Sequence, residues 1–285
     1  MAYVTLKEIL RGARENGYGV GAFNFNSYED AQGIINGAVE KKAPVILMAS
    51  AGAVKYIGVK QTAYMVKGMA ESVDIPVCLH LDHATSIDLI KICIDAGFMS
   101  VMIDASKKAY EENIREAALV VRYAGKTGCS VEAELGRVGG KEEDVIVREG
   151  KDTYTNPKDV PRFVKETGID ALAIAFGTAH GFYKKEPNLD FELIKTVAGI
   201  TDIPLVMHGG TGVPPEGFKK AIASGISKIN VGTELKATYV NTLRDMVKKN
   251  PNEGDPRNYL KAVKEQCAEV VKGKIDIFGC ANKIG

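Results

Sequence analysis

Residues 75 to 84 read IPVCLHLDHA. A proline opens an apolar run that ends in an acid and an imidazole side by side, Asp82 and His83, the pattern of a buried strand with polar groups at its exit. Burying either group unpaired would cost roughly a few kcal/mol, so their place at a strand exit points to a site that uses them. The plainer alternative is a histidine that only holds a neighbouring loop. The same arrangement recurs along the chain, and the recurrence decides both fold and site.

Working outward, a lead-in helix is expected over 5–16, where Leu6, Ile9, Leu10 and Ala13 keep helical spacing and Gly17 terminates. Strands are expected at 18–23, 44–48, 75–84, 100–104, 130–135, 171–176, 204–207 and 228–231. Helical patterns stand between them, and two further helices follow Glu234 and Pro256. Eight strand-then-helix units match an α/β fold, a single (β/α)8 TIM barrel spanning residues 1–285 with additional terminal helices. The strands read as continuous apolar runs, as parallel strands covered on both faces should. An open doubly wound sheet would want a GxGxxG turn after its first strand, and YGVGAFNFN does not supply one. The least regular region, 136–157, holds Gly139-Gly140 and a run of charges and reads as a mobile loop.

The 285 residues carry 37 basic and 36 acidic side chains, a net charge of +1 without the footprint of a nucleic-acid or anionic-membrane binder. With 45% hydrophobic residues the chain can build a sizeable core, yet it has no membrane-length apolar run, and MAYVTLKEIL lacks a signal-peptide core. The five cysteines are scattered and never form a CxxC pair, which reads as reduced thiols in the cytoplasm.

Reacting groups of such a barrel sit at the carboxyl ends of its strands. Three of the four histidines fall there: His83, His180 and His208. Asp82, Asp104, Glu134 and Asn230 are expected on the same rim. Three imidazoles from different strands make a good divalent-metal site with a position left for water or substrate, and zinc is the natural first choice. His80, within the strand, is read as a core or supporting residue. The turns His208-Gly-Gly-Thr-Gly212 and Asn230-Val-Gly-Thr233 are small-residue turns opening onto helices, places where backbone amides cradle phosphate.

LHLDHA, SVMIDAS, VEAELG, GTAHG, HGGTG and INVGTELK, in this order over nearly the whole chain, resemble the class II, metal-dependent ketose-bisphosphate aldolases. The resemblance implies a cytoplasmic homodimer or homotetramer. It would reversibly split a ketose 1,6-bisphosphate into dihydroxyacetone phosphate and an aldehyde phosphate through a zinc-stabilised enediolate. It assigns Zn2+ to His83, His180 and His208, and the acid/base at the C4 hydroxyl to Asp82. Asp104 and Glu134 match acids that hold an alternative, second divalent-cation position or orient the ligands, and a monovalent cation is a further expected cofactor. Gly181, Gly209, Gly210, Thr211, Asn230, Val231, Gly232 and Thr233 match the dihydroxyacetone phosphate pocket. Glu142 matches the acid that moves the proton at carbon 3, with a solvated loop charge as the alternative. Ser50 and Arg257 match positions that bind the far phosphate, the arginine reaching over from a neighbouring subunit, although Arg257 could equally cap a surface helix. The Gly-Gly loop would close over the substrate.

Fructose 1,6-bisphosphate is the leading substrate and tagatose 1,6-bisphosphate the alternative, since the small Gly232 leans to the tagatose branch while HGGTG and EPNLDF look at least as much like fructose enzymes. A Schiff-base aldolase would need a lysine at the end of an interior strand, whereas the strand at 171–176 ends in Phe176-Gly177. A metal-binding barrel with an accessory, non-catalytic role is the alternative from another class.

Overall fold

The computed structural model describes residues 2–142, 145–147, 153–183 and 185–284. The chain enters through α1 (Leu6–Asn16), whose N-terminus is closed by a reciprocal Thr5–Glu8 capping box and whose C-terminus stops at Gly17 in the left-handed region. Its buried face, Leu6, Ile9, Leu10 and Ala13, lies under the amino-terminal ends of the strands that follow. Arg14 ties this helix down by donating to the carbonyls of Thr201 and Ile203.

Then come β1 (Val20–Asn24), α2 (Tyr28–Glu40), β2 (Val45–Ser50), α3 (Ala51–Ile57), α4 (Val59–Glu71), β3 (Val77–Ala84), α5 (Ile87–Asp95), β4 (Ser100–Ile103), α6 (Tyr110–Ala124) and β5 (Ser130–Leu135). They are followed by β6 (Gly139–Glu142), β7 (Val145–Val147), α7 (Val160–Thr167), β8 (Ala171–Ile174), β9 (Ala179–His180) and α8 (Phe191–Ala198). The chain ends with β10 (Leu205–Met207), α9 (Pro215–Ser224), β11 (Ile226–Val231), α10 (Thr233–Lys249) and α11 (Pro256–Phe278). Strands β1, β2, β3, β4, β5, β8, β10 and β11 pair in parallel in that order, and β11 returns to β1 to close the barrel. All eight expected strands are present, with bounds shifted by up to two residues; the helix α3 was not anticipated.

The region expected to be a mobile loop is partly regular. β6 pairs antiparallel with β7 and parallel with β9, so that Gly140 lies opposite His180. Glycine is required at 140: its φ is +92°, and a Cβ there would run into the backbone of His180. The residues that look like loop punctuation are those that let two backbones meet.

Alternate residues of each strand face the barrel interior, and the register brings polar groups of neighbouring strands to matching levels. Ser50 lies beside Asp82 and Met48 beside His80. Ser100 pairs with both His80 and Ser130, and Val20 and Val206 flank Lys228. Among the described residues no helix is long and apolar enough to cross a membrane.

Candidate active site

Asp82 and His83 are chain neighbours and on a flat strand would face opposite ways. Register with β4 shifts between Leu81 and Ala84, and His83 takes a φ of +45°, rare for a residue with a side chain. This irregularity keeps Asp82 on the inner face, one level above His80, while turning the imidazole of His83 onto the rim. His180 arrives on β9, the short strand held by β6, and His208 follows β10 directly. Their rings gather edge to face, with centroids 5.0 Å apart for His83 and His180, 4.5 Å for His83 and His208, and 5.9 Å for His180 and His208.

The donor set suits a metal. One ring nitrogen from each of the three histidines lies within 4.8 Å of the other two, and His83, Asp104 and Glu134 form a second such set. His83 Nδ1 lies 3.0 Å from Asp104 Oδ2, and His208 Nε2 lies 2.9 Å from Glu132 Oε1. An ionised carboxylate only accepts, so each of these nitrogens carries its ring's proton. The nitrogens left over, His83 Nε2 and His208 Nδ1, face each other at 2.6 Å, two lone pairs in contact that a shared cation would reconcile.

Electrostatics support this protonation. Burial would raise the carboxyl of Asp104, but the hydrogen bonds from His83 and Ser106 hold it well below the usual carboxylate range. Burial acts likewise on Glu132 and is overcome by the Lys228 ammonium and the His208 hydrogen bond. His208 is pushed down by its own burial and by its closeness to His83, since the two rings resist carrying an extra proton together.

Asp82 is buried, with Asn24 Nδ2 donating to its Oδ2 at 2.9 Å and Asn230 Nδ2 near its Oδ1 at 3.4 Å. Both Asp82 and His180 line a cleft of about 90 Å³ whose floor is made by Gly181, Gly209, Gly210 and Thr211 on one side and Asn230, Gly232 and Thr233 on the other. Gly209, at φ +67°, passes so close to the 178–180 backbone that a Cβ would stand 2.5 Å from the Ala179 carbonyl oxygen. Gly210 N donates to the Asn230 carbonyl at 3.0 Å, which joins the two turns. Val231 is buried at the end of β11 beneath the second turn. The 17-residue helix α10 starts there with no cap from Gly232 itself; Glu234 N donates to Thr211 Oγ1 at 3.2 Å, and the positive dipole end of the helix borders the cleft through Gly232 and Thr233.

Ser50 caps α3 at the exit of β2, one strand away from Asp82. Glu134 lies on β5 with Oε1 accepting from Val138 N at 3.0 Å. Arg257 sits at the start of α11, exposed and folded back on Asp255 at 2.6 Å, so within one subunit it behaves as part of a helix start. Glu142 closes β6, and its side chain lies outside the described residues.

Four residues of this neighbourhood escape a reading by motif: Asn24, Glu132, Lys228 and Lys236. Asn24 looks like loop, and Lys236, which lines the cleft, looks like helix surface. Glu132 and Lys228 did carry a signal, a charge in the middle of an apolar strand two residues before a rim residue.

The sequence profile described as fructose-bisphosphate aldolase class-II matches residues 4–283. Fructose-bisphosphate aldolases of Geobacillus stearothermophilus and Staphylococcus aureus are 47% and 46% identical over 286 aligned residues, covering 99% of each chain. The crystal structure of the YdjI aldolase from Escherichia coli K12 superposes with a TM-score of 0.88 at 33% identity, covering 99% of this chain and all of that one. A fructose-bisphosphate aldolase from Campylobacter jejuni superposes at 0.85 with 25% identity over 99% of this chain and 97% of that one. On the full-length profile match and these identities, the chain belongs to the class-II fructose-bisphosphate aldolase family.

Proposed function

We infer that this protein is a zinc-dependent aldehyde-lyase that reversibly cleaves fructose 1,6-bisphosphate into dihydroxyacetone phosphate and glyceraldehyde 3-phosphate. The observation that carries the reading is the meeting of His83, His180 and His208 beside a small-residue cleft that Asp82 lines. A zinc ion held by the three imidazoles would act as a Lewis acid on the ketose carbonyl, drawing off the electron pair released when the bond between carbons 3 and 4 breaks.

The chain's own groups supply the rest. The Asp82 carboxylate, fixed by Asn24 and Asn230, is placed to take the proton of the C4 hydroxyl in cleavage and to return it in condensation. The turns 209–211 and 230–233, with the start of α10 and Lys236, offer amides and one ammonium to the phosphate of the dihydroxyacetone half. Asp104 orients His83 and, with Glu134, offers the second cation position. A monovalent cation would accompany the phosphate at the cleft that Gly181, Gly209 and Thr211 line. Glu142 is assigned the proton at carbon 3, and Ser50 with Arg257 of a second subunit the far phosphate, in a homodimer or homotetramer. The five cysteines are free and buried, in keeping with a cytoplasmic enzyme.

A specific observation favours tagatose 1,6-bisphosphate as a second substrate. Gly232 packs directly on the Asn24 carboxamide, and any side chain there would displace the residue that holds Asp82. The two sugars differ only at C4, where Asp82 works. Chelation with EDTA is expected to abolish cleavage and zinc to restore it. Activity that survives thorough metal removal refutes the reading, and zinc binding without turnover of either sugar favours an accessory role. Parallel kcat/KM measurements on both sugars rank them.

A further inference from the structure

One layer below the histidine rim lies a charged set that the reaction itself does not use. Lys228 on β11 and Glu132 on β5 are completely buried and meet inside the barrel, with Nζ 2.8 Å from Oε2. Removing two ions from water is costly, and an apolar pair of the same volume would pack the barrel at least as well. Stability therefore does not account for them.

Their geometry does. Glu132 presents its other oxygen, Oε1, to His208 Nε2 at 2.9 Å. Lys228 offers only donors, so it claims Oε2 and leaves Oε1 as the one acceptor for the imidazole. We propose that Lys228 and Glu132 are positioning residues that set the tautomer of His208, holding its proton on Nε2 so that Nδ1 carries the lone pair presented to zinc. The assignment rests on the zinc reading of the rim and extends it to two residues that touch neither metal nor substrate.

The role makes an unusual pair of substitutions informative. In Glu132→Gln, Lys228 still demands the amide oxygen, which turns the amide NH2 toward His208 Nε2 and drives the proton to Nδ1. In the double variant Glu132→Gln with Lys228→Met, no donor competes for that oxygen, and it can again accept from Nε2–H. Long-range 1H–15N spectra of the metal-free protein, simplified by a total of four histidines, read the tautomer directly. The expected result is Nε2–H in the parent, Nδ1–H in the single variant and Nε2–H again in the double. Zinc affinity, measured by competition with a chromophoric chelator, is expected to fall about 10- to 100-fold in the single variant and to recover most of that loss in the double.

A merely structural pair predicts the opposite order, with the double variant at least as weak as the single. An unchanged His208 tautomer in Glu132→Gln, or zinc affinity that does not recover in the double, overturns the proposal. Parent protein that takes up no zinc overturns the metal reading beneath it. That failure is distinct from the case in which all three proteins bind zinc equally and only the relay is wrong.

Discussion

At the level of single residues, the site is built from groups whose freedom has been removed by a neighbour. Asp82 is held by two amides, His83 by Asp104 and His208 by Glu132, so each presents one defined atom to the cleft. Asp82→Asn keeps the size but removes the base, and its single accepting oxygen can serve only one of the two amides that Asp82 accepts from. The substitution is expected to lower kcat by roughly 10²- to 10⁴-fold with zinc stoichiometry unchanged, as steady-state kinetics and metal analysis would report. Lys236→Met tests the phosphate end. It should raise KM about tenfold with little effect on kcat, because a charge on the non-reacting phosphate contributes to binding before and during the reaction alike. The three histidines that gather at the rim were legible because histidine is scarce here and sits at strand exits. Asn24 was not, since nothing in FNFN tells an amide aimed into a barrel from one in a turn. Glu132 and Lys228 announce themselves as misplaced charges, but their pairing spans 96 residues and needed the closed barrel to appear.

At the level of elements, apolar runs bounded by glycine and proline sufficed for all eight barrel strands, because a strand buried on both faces has little sequence freedom. The small sheet of β6, β7 and β9 escaped the same logic. Its strands are two to four residues long, and Gly139-Gly140 resembles a break rather than a contact. Yet this sheet carries His180 to the rim, so its tightest point, Gly140 against the His180 backbone, is where a small change should reach the histidine cluster. Gly140→Ala is expected to weaken zinc binding and cut kcat/KM by about tenfold or more, through both the positive φ and the overlap. The far-ultraviolet circular dichroism of the barrel should hardly change. A variant that binds zinc like the parent would show that β9 is placed by other contacts.

At the level of the whole molecule, polar groups in the barrel interior make stability depend on pH in a direction that can be fixed in advance. His80 is completely buried against Ser100 Oγ at 2.8 Å, and burial together with the Lys228 charge lowers its pKa to about 3. The unfolded chain takes up that proton near pH 6.5, so between about 6.5 and 3 the unfolded state binds one proton more than the native state. Stability must then fall as pH falls, by up to about 1.4 kcal/mol per pH unit from this group, and His208, also lowered, adds in the same direction in metal-free protein. Asp104 contributes differently: its depressed carboxyl stabilises above the unfolded value near 4, and that contribution disappears only as pH drops through the folded value. Between about pH 6.5 and 4.5 the histidines are opposed by Asp30, whose carboxyl is raised by burial, so the share of His80 is read from the difference between the parent and a variant that cannot titrate there. Urea unfolding of metal-free protein across that interval should show the midpoint falling steadily, and His80→Gln, which keeps a polar partner for Ser100 but cannot titrate, should flatten that slope. Parallel curves for the two proteins would mean that His80 already carries its proton inside the barrel, and that the interior is less hostile to a second cation than Lys228 makes it.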